Sequence, residues 1–246
     1  MGRREELAAN LAAVRERIAA ACGAAGRDPA DVTLIAVTKT WPASDVEHLA
    51  ALGVRDLGEN RDGEAAEKAA ALSAAGVTDL RWHFVGQVQT NKARSVARYA
   101  DVVHSVDRLR LVRALSTAAT EAGRELDALI QVDLSPAAEG PQAGPKEGAP
   151  GGRGGAAPAE VVALADAVAA APGLRLRGVM AVAPLGAPPG PAFDRLAAVA
   201  ADLRGAHPEA RWISAGMSGD LEVAVGAGAT HVRVGSGLLG NRPLRP

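Results

Sequence analysis

Leu7, Leu11, Val14 and Ile18 recur at intervals of three and four residues, with Arg and Glu at positions between them. That spacing predicts an amphipathic first helix ending near Gly23. Beyond it the pattern changes. Short runs suited to buried strands alternate with alanine-rich stretches of helical period. The runs are Val32–Thr38, Val54–Gly58, Arg81–Val85, Val102–Ser105, Ala128–Val132, Arg175–Ala181, Arg211–Ser214 and His231–Val234. In "SDVEHLAALG", Ser44 and Glu47 have the spacing of a capping box, which predicts a helix start there. Thr90 is expected to cap the helix "TNKARSVARYA" in the same way.

Strand–helix alternation argues for a parallel sheet. Eight runs are also the number that closes a (β/α)8 barrel, a fold of about 250 residues, and this chain has 246. An open doubly wound sheet is the alternative, but no G-x-G-x-x-G follows the first run. The expected fold is therefore α/β, a (β/α)8 TIM barrel with an extra N-terminal helix, forming one domain over residues 1–246. One segment breaks the rhythm. Ser135 to Pro158, "SPAAEGPQAGPKEGAPGGRGGAAP", is dense in Gly and Pro and has no period. It is too long for an ordinary connection and is read as a lid or a disordered insertion, with disorder the better match to its composition. Because alternation resumes after it, it does not divide two domains.

Composition sharpens this picture in two respects. Hydrophobic residues make up 48% of the chain but aromatics only 2%, and much of the apolar content is alanine. That suits a helical shell better than a β-sandwich. Charge is balanced, 27 basic against 28 acidic residues for a net −1, which gives no reason to expect a nucleic-acid or anionic-membrane partner. Cys22 is the single cysteine, so an internal disulfide and a cysteine-based metal site are excluded. The first residues lack a signal-peptide apolar core, and no uncharged run reaches the roughly 18 residues of a membrane span. A soluble cytoplasmic protein is expected.

In a barrel of this kind, functional groups sit at the carboxyl ends of the strands, with phosphate after the seventh and eighth. Those two ends read "ISAGMSGD" and "VRVGSGLLG". Ser214, Gly216, Met217 and Ser218 from one loop, and Gly235 and Ser236 from the other, offer close backbone approach, hydroxyls and helix starts for an anion. At the end of the first run, "TLIAVTKTW" places Lys39 where the strand should stop. Desolvation at the barrel mouth would disfavour its ammonium and leave an amine able to form a Schiff base. A lysine that simply reaches solvent is the bland reading. An amine at one strand end and an anion cradle at two others together suggest a carbonyl compound bearing a phosphate, either pyridoxal phosphate or the sugar phosphate of an aldolase. Arg233 lies two residues before Gly235 and is expected to face the mouth. An arginine aimed at a pyridine nitrogen would keep it unprotonated, which weakens the ring as an electron sink. Its alternative is an ion pair with a strand-end carboxylate such as Glu59.

The segments "AVTKTWP", "LGEN", "WHFVGQVQTNK", "HSVDR", "RGVMAVAP", "SAGMSGD" and "VRVGSGLLG", in this order from about residue 5 to 242, resemble the pyridoxal phosphate homeostasis proteins. These are single-domain relatives of the alanine racemase barrel. The resemblance implies pyridoxal 5'-phosphate held as a Schiff base on Lys39, with Asn60 beside the cofactor and Arg233 facing the pyridine nitrogen. It places Ser214, Met217, Ser218, Gly235 and Ser236 around the phosphate. His83 and Gln87 fall in a motif near the mouth and receive no chemical step. Two departures stand out. The family commonly has two acidic residues after the second serine, where this chain reads Ser218-Gly219-Asp220, which should loosen the helix start. After the fifth strand, Asp133 stands where an Asn is usual and the Gly/Pro segment replaces a short Lys-x-Gly loop, of which Lys146–Gly148 is a candidate remnant.

Other chemistry is poorly supported. His48, His83, His104, His207 and His231 lack metal-ligand spacing and are read as surface or packing residues, so no metal site is expected. No nucleophile elbow is present. Lys92 and Arg94 are read as a solvated helix face. Three functions remain: a carrier that buffers or delivers the cofactor, an amino-acid racemase, and a Schiff-base aldolase. The resemblance favours the carrier, with no catalytic residues, a monomeric state and transient contact with apoenzymes that use the cofactor. Racemisation needs two bases on opposite faces of the substrate carbon, and the only tyrosine, Tyr99, sits in a predicted helix beside the fourth strand.

Overall fold

All eight of the expected runs form parallel strands, paired in sequence order and closed by a β1–β8 contact. In the computed structural model, which describes residues 2–135 and 154–240, the strands are β1 (Thr33–Val37), β2 (Asp56–Glu59), β3 (Arg81–Phe84), β4 (Val102–Val106), β5 (Leu126–Gln131), β6 (Leu174–Met180), β7 (Trp212–Ser214) and β8 (His231–Val234). Helices α1 (Arg3–Ala24), α2 (Ala43–Ala51), α3 (Asp62–Ala74), α4 (Ala93–Tyr99), α5 (Leu109–Glu121), α6 (Val161–Ala169), α7 (Gly190–Ala206), α8 (Leu221–Gly226) and α9 (Ser236–Leu239) surround them. The expected barrel, rather than an open sheet, is what forms.

Strand alternation sorts the side chains into two environments. Outward positions Ala36, Leu57, Val232 and Val234 pack with Leu7, Leu11, Val14 and Ile18 of α1 and with Val46, Leu49 and Leu72 of α2 and α3. On the other half, Val103, Ala128, Ile130 and Val179 meet Val96, Leu111, Leu115, Leu164 and Phe193. Inward positions are different in kind. Ile35, Val102, Leu129 and Met180 share the interior with Asp56, His83, His104, Ser214, His231 and Arg233. A barrel bore normally filled by branched aliphatics here holds a polar column.

Helix α1 does more than cover apolar surface. Its Arg17 pairs with Glu222 (Nε to Oε1 2.7 Å) and donates from Nη2 to the Ser218 carbonyl at 2.9 Å. Asn10 donates to the Leu238 carbonyl at 2.9 Å and Arg3 to the Leu239 carbonyl at 3.0 Å. The N-terminal helix thus holds the loop after β7 and the end of α9 together.

Three local expectations change. The helix predicted to start at Ser44 begins at Ala43, with Pro42 in the cap position and no side-chain cap, so Ser44 is already helical. Thr90 begins a 3-10 turn over Thr90–Lys92 that leads into α4, and its hydroxyl is near Arg108 rather than capping. Within the segment read as structureless, Ala156 bridges to Val132 in parallel and Pro158–Glu160 form a 3-10 turn before α6. Residues 136–153, including the candidate remnant Lys146–Gly148, lie outside the described residues.

Candidate functional site

The turn after β1 is pinned from its outer side. Thr38 is buried and donates from its hydroxyl to Glu59 Oε1 at 2.7 Å. Lys68 of α3, also buried, donates to the Thr38 carbonyl at 2.7 Å, to Glu59 Oε1 at 2.8 Å and to Glu64 Oε1 at 2.7 Å. The Thr40 N–H donates to the same Glu64 carboxylate, and Thr40 adopts a left-handed φ of 68°. Burial pushes the Glu59 carboxyl above its ordinary range, against the pull of Lys68 and Thr38. These contacts fix the backbone on both sides of Lys39. Lys39 itself is half-buried in the turn, two residues past the end of β1.

Asn60 stands level with Lys39 across the β1–β2 pair, because Val37 is in register with Gly58 two residues earlier. Its Oδ1 is buried without a hydrogen-bond partner. A Cβ on Gly86 would lie 2.4 Å from the Asn60 carbonyl oxygen, so only glycine lets the β3 loop come this close.

The two loops expected to hold an anion are joined directly. The Gly237 N–H donates to Ser218 Oγ at 3.0 Å. Gly216 turns the chain at φ 88°, and a Cβ there would meet the Ala224 Cβ at 2.6 Å. Asp220 stands in the cap position of α8 without a side-chain cap, and its Oδ1 accepts instead from the Met217 N–H at 2.5 Å, ahead of the helix. Ser236 opens α9 immediately after Gly235. Gly216→Ala combines a left-handed φ with a collision, and a loss of about 1–3 kcal/mol is expected. A urea titration would register it as a lower midpoint with an unchanged slope.

Arg233 is buried and held by neutral groups. Its Nη1 donates to Ser214 Oγ at 2.6 Å and its Nη2 to the Ala181 carbonyl at 2.9 Å. Desolvation pulls its guanidinium down to about 10, opposed by the charge of Asp220. The alternative ion pair with Glu59 does not form. Glu59 faces outward toward Lys68, whereas Arg233 faces the bore.

Lys39, Asn60, Met217, Ser218, Gly235 and Ser236 therefore gather at the carboxyl rim of the barrel. Ser214 differs from its expected place. It is fully buried in the bore, where it accepts from Arg233 and contacts His104 Nδ1 at 3.0 Å. His83 also lies in the bore rather than near the mouth, contacting His104 Nε2 through Nδ1 at 2.9 Å and Asp56 Oδ1 through Nε2 at 2.9 Å. Burial holds His83 and His104 below their ordinary range, and His231 down to about 3. The sequence alone reads these histidines as surface or packing residues. Their shared inward parity on neighbouring strands was the available signal. Gln87 is at the mouth, against Gly154, whose carbonyl accepts from Gln131 at 2.9 Å. Asp133 accepts from the Ser135 N–H at 2.9 Å. Lys92 and Arg94 face solvent as expected. Among the described residues no cluster of three His, Cys, Asp or Glu could hold a metal, and no helix is long and apolar enough to cross a membrane.

A (β/α)8 barrel with a lysine directly after β1 and paired glycine–serine loops after β7 and β8 defines a recognised class. Residues 9–243 match the family described as the alanine racemase N-terminal domain. A pyridoxal phosphate homeostasis protein of Mycobacterium bovis is 43% identical, over 99% of this chain and 95% of its own. One from Pseudomonas aeruginosa is 42% identical over 96% of each. The structure of PipY from Synechococcus elongatus with pyridoxal phosphate bound superposes with a TM-score of 0.79 at 34% identity, covering 95% of this chain and all of that one. The chain belongs to the alanine racemase N-terminal domain family and, within it, to the pyridoxal phosphate homeostasis proteins.

Proposed function

We propose that this protein binds pyridoxal 5'-phosphate reversibly at Lys39 and serves intracellular homeostasis of the cofactor by buffering or delivering it, without robust catalysis. The observation that carries this reading is Arg233: a buried guanidinium whose two hydrogen-bond partners at its terminal nitrogens are a hydroxyl and a carbonyl, both neutral. Such a group suits a neutral ring-nitrogen acceptor in the bore. The buried, unpartnered Asn60 oxygen level with Lys39 is a second group suited to a ligand. The PipY structure with pyridoxal phosphate supports the same occupant.

The cofactor supplies an aldehyde that an amine takes up reversibly, together with a dianionic tail. Lys39 provides that amine, with its backbone held by Lys68 and Glu64. Ser218, Gly235 and Ser236 receive the tail, and Met217 lines the loop beside it. Arg233 orients the ring by donating to its nitrogen while keeping its own proton.

Tyr99 does not supply the second base that the racemase reading needs. The Tyr99 hydroxyl is buried at the end of α4, beside Asp62 and Glu59 on the outer side of the sheet, and burial raises its pKa further. A carrier working as a monomer in the cytoplasm, with transient contact with recipient apoenzymes, accounts for the remaining features. The test is to mix loaded protein with a pyridoxal-phosphate-dependent apoenzyme and follow activation against free cofactor at equal concentration. Activation with a time course set by release or by protein concentration is expected. Rapid conversion of L- to D-amino acid by the purified protein, absent in Lys39→Ala, would instead make it an enzyme.

A further inference from the structure

The polar column in the bore has a single consistent direction. Arg233 on β8 can only donate, so Ser214 Oγ on β7 accepts from it and gives its own proton to His104 Nδ1. His104 on β4 then carries its proton on Nε2 and donates to His83 Nδ1 on β3. His83 in turn donates from Nε2 to the Asp56 carboxylate on β2. Asp56 is held below its ordinary carboxyl range, chiefly through His83 against the effect of burial, so an anion closes the chain. Every link is between 2.6 and 3.0 Å. A cation ends the column toward the mouth and an anion ends it at the opposite end of the barrel, with two neutral imidazoles between them. Each imidazole tautomer is dictated by the two ends.

We propose that His104 and His83, acting through Ser214, are positioning residues that set the plane of the Arg233 guanidinium and thereby the electronic state of a ring bound against it. This rests on the reading of Arg233 under Proposed function and goes beyond it, since neither histidine reaches the rim. Losing the His104 acceptor frees the Ser214 hydroxyl proton, which must then find another acceptor in a closed bore. The serine rotates, and Arg233 loses one of the two contacts that orient it. A column of buried groups that satisfy each other is costly to interrupt at any member.

The experiment compares wild type, His104→Leu, His104→Asn and Ser214→Ala, each loaded with pyridoxal 5'-phosphate. The readouts are the visible absorption of the attached cofactor across pH, its dissociation constant by equilibrium dialysis, and the melting temperature. His104→Leu and Ser214→Ala are expected to shift the pH dependence of the absorption and to weaken binding about tenfold, the scale of one buried hydrogen bond. His104→Asn returns an acceptor near the Nδ1 position and is expected to recover most of both. If both disruptive variants match wild type in absorption and affinity and differ only in melting temperature, the histidines merely fill space and the proposal fails. Should His104→Leu not fold, Ser214→Ala, which removes one oxygen, decides alone. A wild-type protein that attaches no cofactor overturns the functional reading itself, an outcome separate from matching variants.

Discussion

Replacing Lys39 with alanine is expected to abolish covalent attachment of pyridoxal phosphate and the visible absorption that accompanies it. The effect should be all or none, because attachment depends on one amine. Borohydride treatment of the loaded wild type followed by peptide mass measurement should place the label on the Lys39 peptide. The fold should survive. The turn around Lys39 is held by Thr38, Glu59, Lys68 and Glu64, none of which the substitution touches. A half-buried residue outside the packed clusters is also an inexpensive one to truncate. The melting temperature of the unloaded variant is thus expected to stay near that of wild type. Label recovered on Lys68 or Lys92 would refute the assignment.

The second large effect concerns Lys68, and it reads out in stability. Lys68→Met removes the charge that faces Glu59 while both side chains are sealed between β2 and α3 (relative exposure 8% and 1%). Breaking one partner of a buried pair costs about 3–5 kcal/mol, since the other is left as an uncompensated ion. Lys68 also donates to the Thr38 carbonyl, so the loss extends to the support of the Lys39 turn. The pH dependence carries a sign. Glu59 in the folded protein already binds its proton more tightly than the ordinary carboxyl value of 4.5. A group with a raised folded pKa favours folding fully below the unfolded value, and that contribution is lost as pH rises through the folded value. Without Lys68 the folded value moves higher still. The variant should therefore lie nearest to wild type in mild acid and fall away toward neutral pH. Urea titrations at several pH values measure this directly; a deficit independent of pH would mean that Glu59 carries no charge in the wild-type fold.

The strands are readable because short β-suited runs, apolar at least on their outward face, interrupt the alanine-rich helical stretches. The carboxyl-end loops were readable because Gly and Ser recur where a barrel presents its site. Ser214 was grouped with the phosphate loop because it immediately precedes "AGMSG" in the sequence, yet it is the last inward residue of β7 and belongs to the column beneath. Glu59 and Arg233 were plausible partners as strand-end charges, but they occupy opposite faces of the sheet. Ser44 resembled a cap on spacing alone, while the chain enters α2 one residue earlier behind Pro42.

The order of residues was enough to define a barrel, an amine after its first strand and two glycine–serine turns after its last, because these follow from local period and from fixed places in a repeating architecture. The Asp56–His83–His104–Ser214–Arg233 column came only with closure of the sheet, since its members lie on five strands up to 177 positions apart (56 to 233). Closure brings inward side chains from distant segments within hydrogen-bonding reach, and no periodicity along a chain encodes which of them will meet.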